Sequence, residues 1–522
     1  MELPAETDVL IVGAGPVGTA MANILGRLGV RTLLIDKLPT IQLQPRAIAL
    51  DNEALRILQL AGLDDHAFAR LVIPEVRMHS PIFGEFARMN TAHELDGHPM
   101  LVTFFQPELE QALHDALARY PAVQVARPVE WLSTTEEATG CVVTLRWPDG
   151  TDRTLRAQYV VAADGASSPV RNALGMAFQG SSYAEDWLIV DALGAHPPID
   201  HVEFLCNSHR PGPHMPAPGG RQRWEFMLRR GETREDMMQP EQVRQLLAPW
   251  ADLDTLTVER TAVYRFHART VSQFRRGRTL LVGDAAHVTP PFVGQGLVAG
   301  LRDVANLGWK LAWVVHGRAS TGILDSYHTE RQPHARSMIR LAQWMGRLIM
   351  PRSRCTAFFS HGIARLMTLI PGLRGLIVDV RIKPRNRFSR GLFVPRGGAD
   401  RFEHGNHLAQ GPLRNRREGS ARSDDVLGQQ LQLIGIGVDP QSCLSAAQRE
   451  RWAAHGGATV CIHGSGAAAP VDTAWEDIDG VLGAQRFPDG WLIVVRPDKV
   501  ILADGQPEQG GRLVETVLAL LR

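Results

Sequence analysis

The sequence predicts an α/β protein built around a Rossmann-like dinucleotide-binding unit, and three observations carry that expectation. A short apolar run, TDVLIV (7–12), suits a strand buried on both faces. It opens into Gly13-Ala14-Gly15-Pro16-Val17-Gly18, then a helix-patterned MANILGRLGV, then a second β-type run, RTLLID, ending on Asp36. Two later junctions repeat the step from strand to acid, YVVAADG (159–165) and TLLVGD (279–284). Ligands of open α/β sheets bind at the carboxyl ends of the strands, so three such junctions imply one extended ligand in one crevice.

The remaining composition bounds the answer. A chain of 522 residues exceeds one simple core and predicts two or three domains. A net charge of +1 gives no support to a nucleic-acid partner. Five scattered cysteines without a CxxC pair point to a reducing compartment, with neither a disulfide framework nor a zinc site. The N-terminal MELPAETDV carries acids where a signal peptide carries basic residues, and the expected location is the cytoplasm. The most apolar stretches, IRLAQWMGRLIM (339–350) and LMTLIPGLRGLIVDV (366–380), are broken by Arg and Pro. They are expected as core or interface helices, without membrane insertion.

Taken in order, the glycines of 13–18 permit a tight turn and close backbone approach to a pyrophosphate, whose charge would sit at the helix N-terminus. Asp36 is placed to accept hydrogen bonds from an adenosine ribose. This unit alone leaves NAD and FAD open. Gln44-Pro45-Arg46 precedes a helix-like AIALDNEALRILQLAGL (47–63), and a phosphate-compatible Arg there suggests a cofactor longer than one nucleotide. In FFQPELEQALHDALARY (104–120), Pro107 suits a first helical turn and Gln106 sits at the strand-to-helix junction, facing a cleft. Residues 123–163 read as short strands around a Pro148-Asp149-Gly150 turn. After Asp164-Gly165 come Ser168 and Arg171 at a helix start, and HRPGPHMPAPGGR (209–221) reads as a loop. His209 and His214 lack zinc-like partners, so no metal is expected.

The motifs GAGPVG (13–18), DGASSPVR (164–171) and GDAAHVTPPFVGQG (283–296) stand in the order and approximate spacing of a known family. The sequence resembles the FAD-dependent aromatic hydroxylases, single-component flavoprotein monooxygenases, over about its first 390 residues. PRAIALDNEALRILQLAGL (45–63), WEFMLRRGET (224–233) and WLIVVRPDKVILA (491–503) look like the 3-(3-hydroxyphenyl)propionate hydroxylase branch, which shares a C-terminal thioredoxin-like appendage with phenol and polyketide hydroxylases. The resemblance implies a glutathione-reductase type FAD-binding domain from 1–75, 101–175 and 273–394. A mixed β-sheet substrate-binding domain would come from 76–100 and 176–272, and the thioredoxin-like domain from 395–522. Without CxxC, that last domain is expected to serve packing or dimerisation.

The resemblance also assigns residues. Gly13, Gly15, Pro16, Val17 and Gly18 would cradle the FAD pyrophosphate, with Asp36 and Lys37 at the adenosine ribose. Arg46 and Gln106 match positions that contact FAD. Asp164, Gly165 and Arg171 belong to a motif tied to both FAD and NAD(P)H, and Gly283 and Asp284 would meet the ribityl chain. Pro290 and Pro291 remove backbone donors beside the flavin, and Gly294 and Gly296 permit close approach. The helix beginning at Leu297 and Val298 would aim its N-terminus at the flavin pyrimidine, worth roughly 0.3–2 kcal/mol to negative charge there. Val298 stands where the family usually has Asn, which is harmless if the contact is made by backbone N–H.

The implied cycle uses NAD(P)H to reduce FAD, and O2 then yields a C4a-hydroperoxyflavin that hydroxylates a phenolic substrate. His267, in VYRFHART, is the candidate base or orienter, since imidazole titrates near neutrality. His287, close after Asp284, is open to a role in the site or to hydrogen-bonding its own loop. Arg210, Arg221, Arg223 and Arg265 are candidates for a substrate carboxylate. Three readings remain: a hydroxylase of small phenolic acids, one of larger polyketide or heteroaromatic substrates, and a flavin-binding protein without turnover. A homodimer is compatible with each.

Overall fold

The structure, a computed structural model, describes residues 4–522 except 195–197, 380–382, 399, 484–486 and 488, and the side chain of residue 376. The chain opens with β1 (Glu6–Val12), α1 (Pro16–Arg27) and β2 (Thr32–Ile35), then α2 (Asn52–Leu60) and α3 (Gln106–Leu117). There follow β3 (Asp152–Ala162), β4 (Phe178–Leu193), β5 (Gly212–Ala217), β6 (Arg221–Met227), β7 (Thr257–Val271) and β8 (Thr279–Leu281). Helices α4 (Gly296–Val315), α5 (Asp325–Ile349), α6 (Arg354–Leu369) and α7 (Pro371–Val378) come next. The chain ends with β9 (Leu431–Ile436), β10 (Gly457–Gly464), β11 (Trp491–Val495) and β12 (Ile501–Gly505), among shorter elements.

In the first sheet β1 lies between β2 and β3, parallel to both, with Val12 opposite Ile35 and Ala162. β8 pairs parallel with the other side of β3, Ala162 facing Leu281. All three strand-to-acid junctions therefore end on one edge of one sheet. The reason is compositional: six of the seven residues of β1 are buried, which requires helices on both faces. Asp51 caps α2 by accepting from Ala54 N at 2.9 Å, so the helix-like run from 47 begins as a short strand, Ala49–Asp51.

The second sheet has eight strands, ordered His287–Val288, β7, β4, β6, β5, Val202–Leu205, Glu75–Ser80 and Gly84–Asn90. Here the expected loop at 209–221 is overturned. β5 is an interior strand, and all six of its residues are buried. Pro213 and Pro216 were misleading as turn signals because burial on both faces outweighs their missing donors. His214 stacks on Trp224 at 4.6 Å and bonds to Gln222 at 2.6 Å on one face, while Met215 packs in a separate apolar cluster.

The C-terminal unit carries β9 parallel to β10 and antiparallel to β11, which pairs antiparallel with β12. It is docked by buried ion pairs. Arg56 of α2 reaches Asp424 at 2.7 Å, and Arg496 reaches Glu330 of α5 at 2.7 Å with both side chains fully buried. Glu330 also pairs with Lys310 of α4 at 2.8 Å. Among the described residues, no helix is long and apolar enough to cross a membrane.

Candidate active site

The glycine turn shows why each glycine stands where it does. Gly13 has φ +102°, and a Cβ there would lie 2.5 Å from Ala163 O. A Cβ on Gly18 would lie 1.9 Å from Gly13 O, so these two close helix on strand. Gly15 meets nothing within 4 Å, which leaves its side of the turn open to a ligand. Asp36 Oδ2 accepts from Ala14 N at 2.8 Å and its Oδ1 from Leu38 N at 2.8 Å, so the expected ribose acid also braces the turn. Lys37 beside it is exposed.

Sequence reasoning missed Arg127. It donates to Ala14 O at 2.6 Å and lies 3.1 Å from His114 Nε2, while its Nε is buried without a partner. A spare guanidinium N–H beside the glycine turn suits a phosphate. The signal was available: Arg127 follows Val123–Ala126, which pairs parallel with β2 and so ends on the same edge.

Arg46 and Gln106, both expected at the cofactor, meet each other. Gln106 Oε1 accepts from Arg46 N at 2.7 Å and Ala47 N at 2.8 Å, fixing the loop against α3. Asp164 Oδ2 accepts from Val170 N at 3.2 Å, but its Oδ1 is buried and unpartnered, and burial raises its carboxyl above the usual range. Gly165, with φ +82°, turns the chain toward Ser168, which caps the next helix at Arg171 N. Arg171 donates to Ala285 O at 3.3 Å, tying the second junction to the third, and lies 3.8 Å over the Phe178 ring.

The third junction is held from behind. Asp303 Oδ2 accepts from Gly283 N at 3.0 Å and lies 2.6 Å from His287 Nε2, and its Oδ1 accepts from Arg331 at 3.0 Å. Burial opposes ionisation of Asp303, but His287 and Arg331 outweigh it and hold the carboxyl below its usual range. His287 thus braces its loop. Arg302 reaches Glu53 at 2.6 Å, Gln295 at 2.8 Å and Asp51 at 3.1 Å, anchoring the start of α4 to α2. Asp284 itself accepts no hydrogen bond from a described residue, and burial raises its carboxyl, eased by His287 and Arg46.

Pro290 is extended, Pro291–Val293 form a short 3-10 turn, and Gly294 has φ +62°. Gly296 meets nothing within 4 Å. The first N–H groups of α4, on Gly296, Leu297 and Val298, have no intrahelical partner. Val298 is fully buried in the main core, so only its backbone is left for a ligand.

The second sheet turns one face toward this crevice. Arg223 reaches Arg46 O at 3.1 Å and Pro45 O at 3.3 Å, and pairs with Asp191 at 2.6 Å. Arg260 joins Asp191 at 3.0 Å and donates to the Tyr264 hydroxyl, while its Nε is buried without a partner. Trp187, Phe266 and Phe292 cluster further along, Phe292 meeting the other two in T-shaped contacts, with ring centroids 5.5 to 5.8 Å apart. Between these polar and aromatic ends stands Glu225, opposite Ile189. It is buried and accepts no hydrogen bond from a described residue, and burial pushes its carboxyl up to about 7. Glu225 also borders a cleft of about 660 Å³, shared with Cys206, Arg210 and Arg354.

His267 does not belong to this face. Side chains alternate along β7, and Tyr264 and Phe266 take the inward positions. His267 therefore points the other way, 2.8 Å from Ser182 Oγ and on the same side as Arg265 and Arg269. Of the four candidate arginines, Arg210 pairs with Glu232, Arg221 with Glu259 and Arg265 with Asp186, leaving only Arg223 buried on the inward face.

An FAD fits the residues present. Asp164, whose Oδ1 is buried without a donor, and Asp284, which accepts no hydrogen bond from a described residue, suit ligand hydroxyls, and the open sides of Gly15 and Gly296 suit close backbone approach. The FAD binding domain family matches residues 6–342. The chain belongs to the FAD-dependent aromatic hydroxylases. These hydroxylases include curated relatives along nearly the whole chain. A 3-(3-hydroxy-phenyl)propionate/3-hydroxycinnamic acid hydroxylase of Burkholderia cenocepacia is 38% identical, covering 95% of this chain and 94% of its own. The enzyme of that name from Klebsiella pneumoniae is 32% identical over 97% and 93%. The HcaD C-terminal domain family matches residues 405–520. Among solved structures, the flavin-dependent monooxygenase PieE, in complex with FAD and substrate, superposes with a TM-score of 0.78 over 99% of both chains at 22% identity. Aklavinone-11 hydroxylase superposes with a TM-score of 0.77 over the full length of both chains at 22% identity. This hydroxylase is accordingly an FAD-dependent monooxygenase that uses NAD(P)H and O2 on an aromatic substrate.

Proposed function

We propose that this hydroxylase acts on a small phenolic acid of the 3-(3-hydroxyphenyl)propionate kind, held between the FAD crevice and the inward face of the second sheet. When bound, FAD supplies the reduction by NAD(P)H and the activation of O2. The glycine turn, Asp36, Arg127 and Arg46 bind its ADP half, and Asp164, Asp284 and the first N–H groups of α4 take the ribityl and ring end. Gly294 and Gly296 let the backbone pass closely, with Pro291 withholding a donor. Glu225 accepts the phenolic proton, because a carboxyl poised near neutrality exchanges protons most efficiently at working pH. Arg260 offers its free Nε–H to the substrate carboxylate, with Asp191 and Tyr264 fixing the guanidinium. Trp187, Phe266 and Phe292 exclude water from the aromatic end.

The observation that carries this reading is a buried, unpartnered acid on the inward face beside an arginine with a spare donor. It is supported by the names of the relatives, which act on phenolic acids. The test is to add 3-(3-hydroxyphenyl)propionate to the FAD-loaded protein and follow NAD(P)H oxidation with mass detection of the product. Stimulated oxidation with one added oxygen atom is expected. Stimulation by a polycyclic phenol alone would transfer the chain to the larger-substrate reading, and no stimulation by any phenol would leave a flavin binder without turnover.

The domain division at 75/76, 100/101, 175/176, 272/273 and 394/395 is carried forward as part of this reading. The last unit is read as thioredoxin-like, supported by a parallel β9–β10 pair joined by a helix and extended by antiparallel β11 and β12. Its cysteines, Cys443 and Cys461, have thiols raised by burial, which argues for a packing role. A cytoplasmic location and a homodimer belong to the same reading, and sedimentation at two concentrations tests the dimer.

A further inference from the structure

Helices α6 and α7 bury one face and leave the other bare. Ala357, His361 and Ala364 face inward, against the cluster containing Phe86 and Met350. Phe358, Phe359, Ile363, Leu366, Leu369 and Leu373 are between 38 and 71% exposed, at intervals of one, four, three, three and four residues. Within α6 that spacing is one helical face, and Leu373 of α7 adds to the exposed apolar set beyond the extended break at Ile370. Large apolar side chains seldom gather in such numbers on a free surface.

The charge around this face has one sign. From Arg331 to Val378 the chain has eight arginines and no Asp, Glu or Lys. Arg347, Arg352, Arg354, Arg365 and Arg374 are exposed and pair with no carboxylate among the described residues. The neighbouring acids are already engaged: Glu85, on the strand beneath, pairs with Arg88 at 2.8 Å, and Asp379 has a partner of its own. A two-fold contact would press this acid-free rim against itself, since such an interface meets its own copy. An anionic bilayer instead offers phosphates to the guanidinium groups and an acyl boundary to the apolar face.

We propose that the α6–α7 hairpin docks this enzyme reversibly onto an anionic lipid surface. With 16 and 8 residues, the two helices are too short to span a bilayer and lie in its interface plane. The test uses the full-length, FAD-loaded protein in flotation with phosphatidylcholine vesicles, with and without phosphatidylglycerol. Binding to the anionic vesicles, little to the neutral ones, and release by high salt are expected. Phe359→Ser with Leu369→Ser should lower binding about tenfold or more, because each removes a large apolar contact. FAD content and NAD(P)H oxidation in solution should be unchanged, and Arg352→Glu with Arg374→Glu should abolish the preference for anionic lipid. Absence of flotation, or equal binding to neutral vesicles, overturns the proposal. So does a concentration-dependent dimer that the Phe359/Leu369 substitutions abolish, because the face would then belong to a second copy.

Discussion

Two buried carboxyls, on opposite walls of the crevice, are treated in opposite ways. Asp303, behind the loop at 283–296, is met by Gly283 N–H, His287 and Arg331, and it is held ionised. Glu225, on the second sheet, is met by no described donor and is pushed toward neutrality. The first is a structural post with both oxygens engaged. The second keeps its capacity free, and a buried group that retains free capacity is the one available to a substrate.

The sharpest way to break this comparison is Asp303→Ala, which leaves His287 and Arg331 facing an empty position in the core. A loss of about 3–5 kcal/mol is expected, measured by denaturant unfolding, together with weaker FAD retention. Next in size is Glu225→Gln, which should lower hydroxylation roughly 10²–10⁴-fold at unchanged FAD content. The pH profile should lose a limb near 7, which a merely structural role would not remove. The sign of the stability effect is also fixed. A carboxyl raised in the folded state binds a proton that the unfolded chain has released, so stability falls as pH rises from the ordinary glutamate range to about 7. Glu225→Gln should flatten that slope in denaturant titrations at acidic and neutral pH.

Val298→Asn is a smaller perturbation. It restores the letter usual in the family, yet the side chain would enter a fully buried apolar site. Thermal unfolding should show a cost of about 1–3 kcal/mol from an unsatisfied amide; a larger gain on FAD loading than the unsubstituted protein shows would instead place the side chain at the cofactor. His267→Ala should change turnover least, because its imidazole faces Ser182 on the outer side. A large loss of hydroxylation would put that residue back in the site.

What was legible in the sequence followed from local rules. The βαβ unit is announced by a switch from strand to helix period across glycines that only a tight turn needs, and the three junction acids are announced by their position after apolar runs. What escaped depends on partners far along the chain. Arg302 and Asp303 look like an ordinary solvated pair on a helix, yet they bridge Asp51, Glu53 and Arg331. His267 was misplaced by a single strand phase, since nothing in VYRFHART says which side of the sheet faces the cofactor. Glu225 has no assigned role in WEFM, because its burial depends on a second covered face that only the sheet supplies, and β5 reads as a loop until its prolines are seen to be buried.

The junction between Arg496 and Glu330 carries a consequence for how this enzyme is assembled. Arg496 arrives from the last unit, while Glu330 also serves Lys310 and Asn306 of α4. Cutting the chain before residue 405 would therefore take one of two cationic partners from a fully buried acid, leaving Lys310 alone to balance it. The appendage is not a detachable passenger. A chimera that exchanges it between relatives must carry the matching residue on α5 along with it.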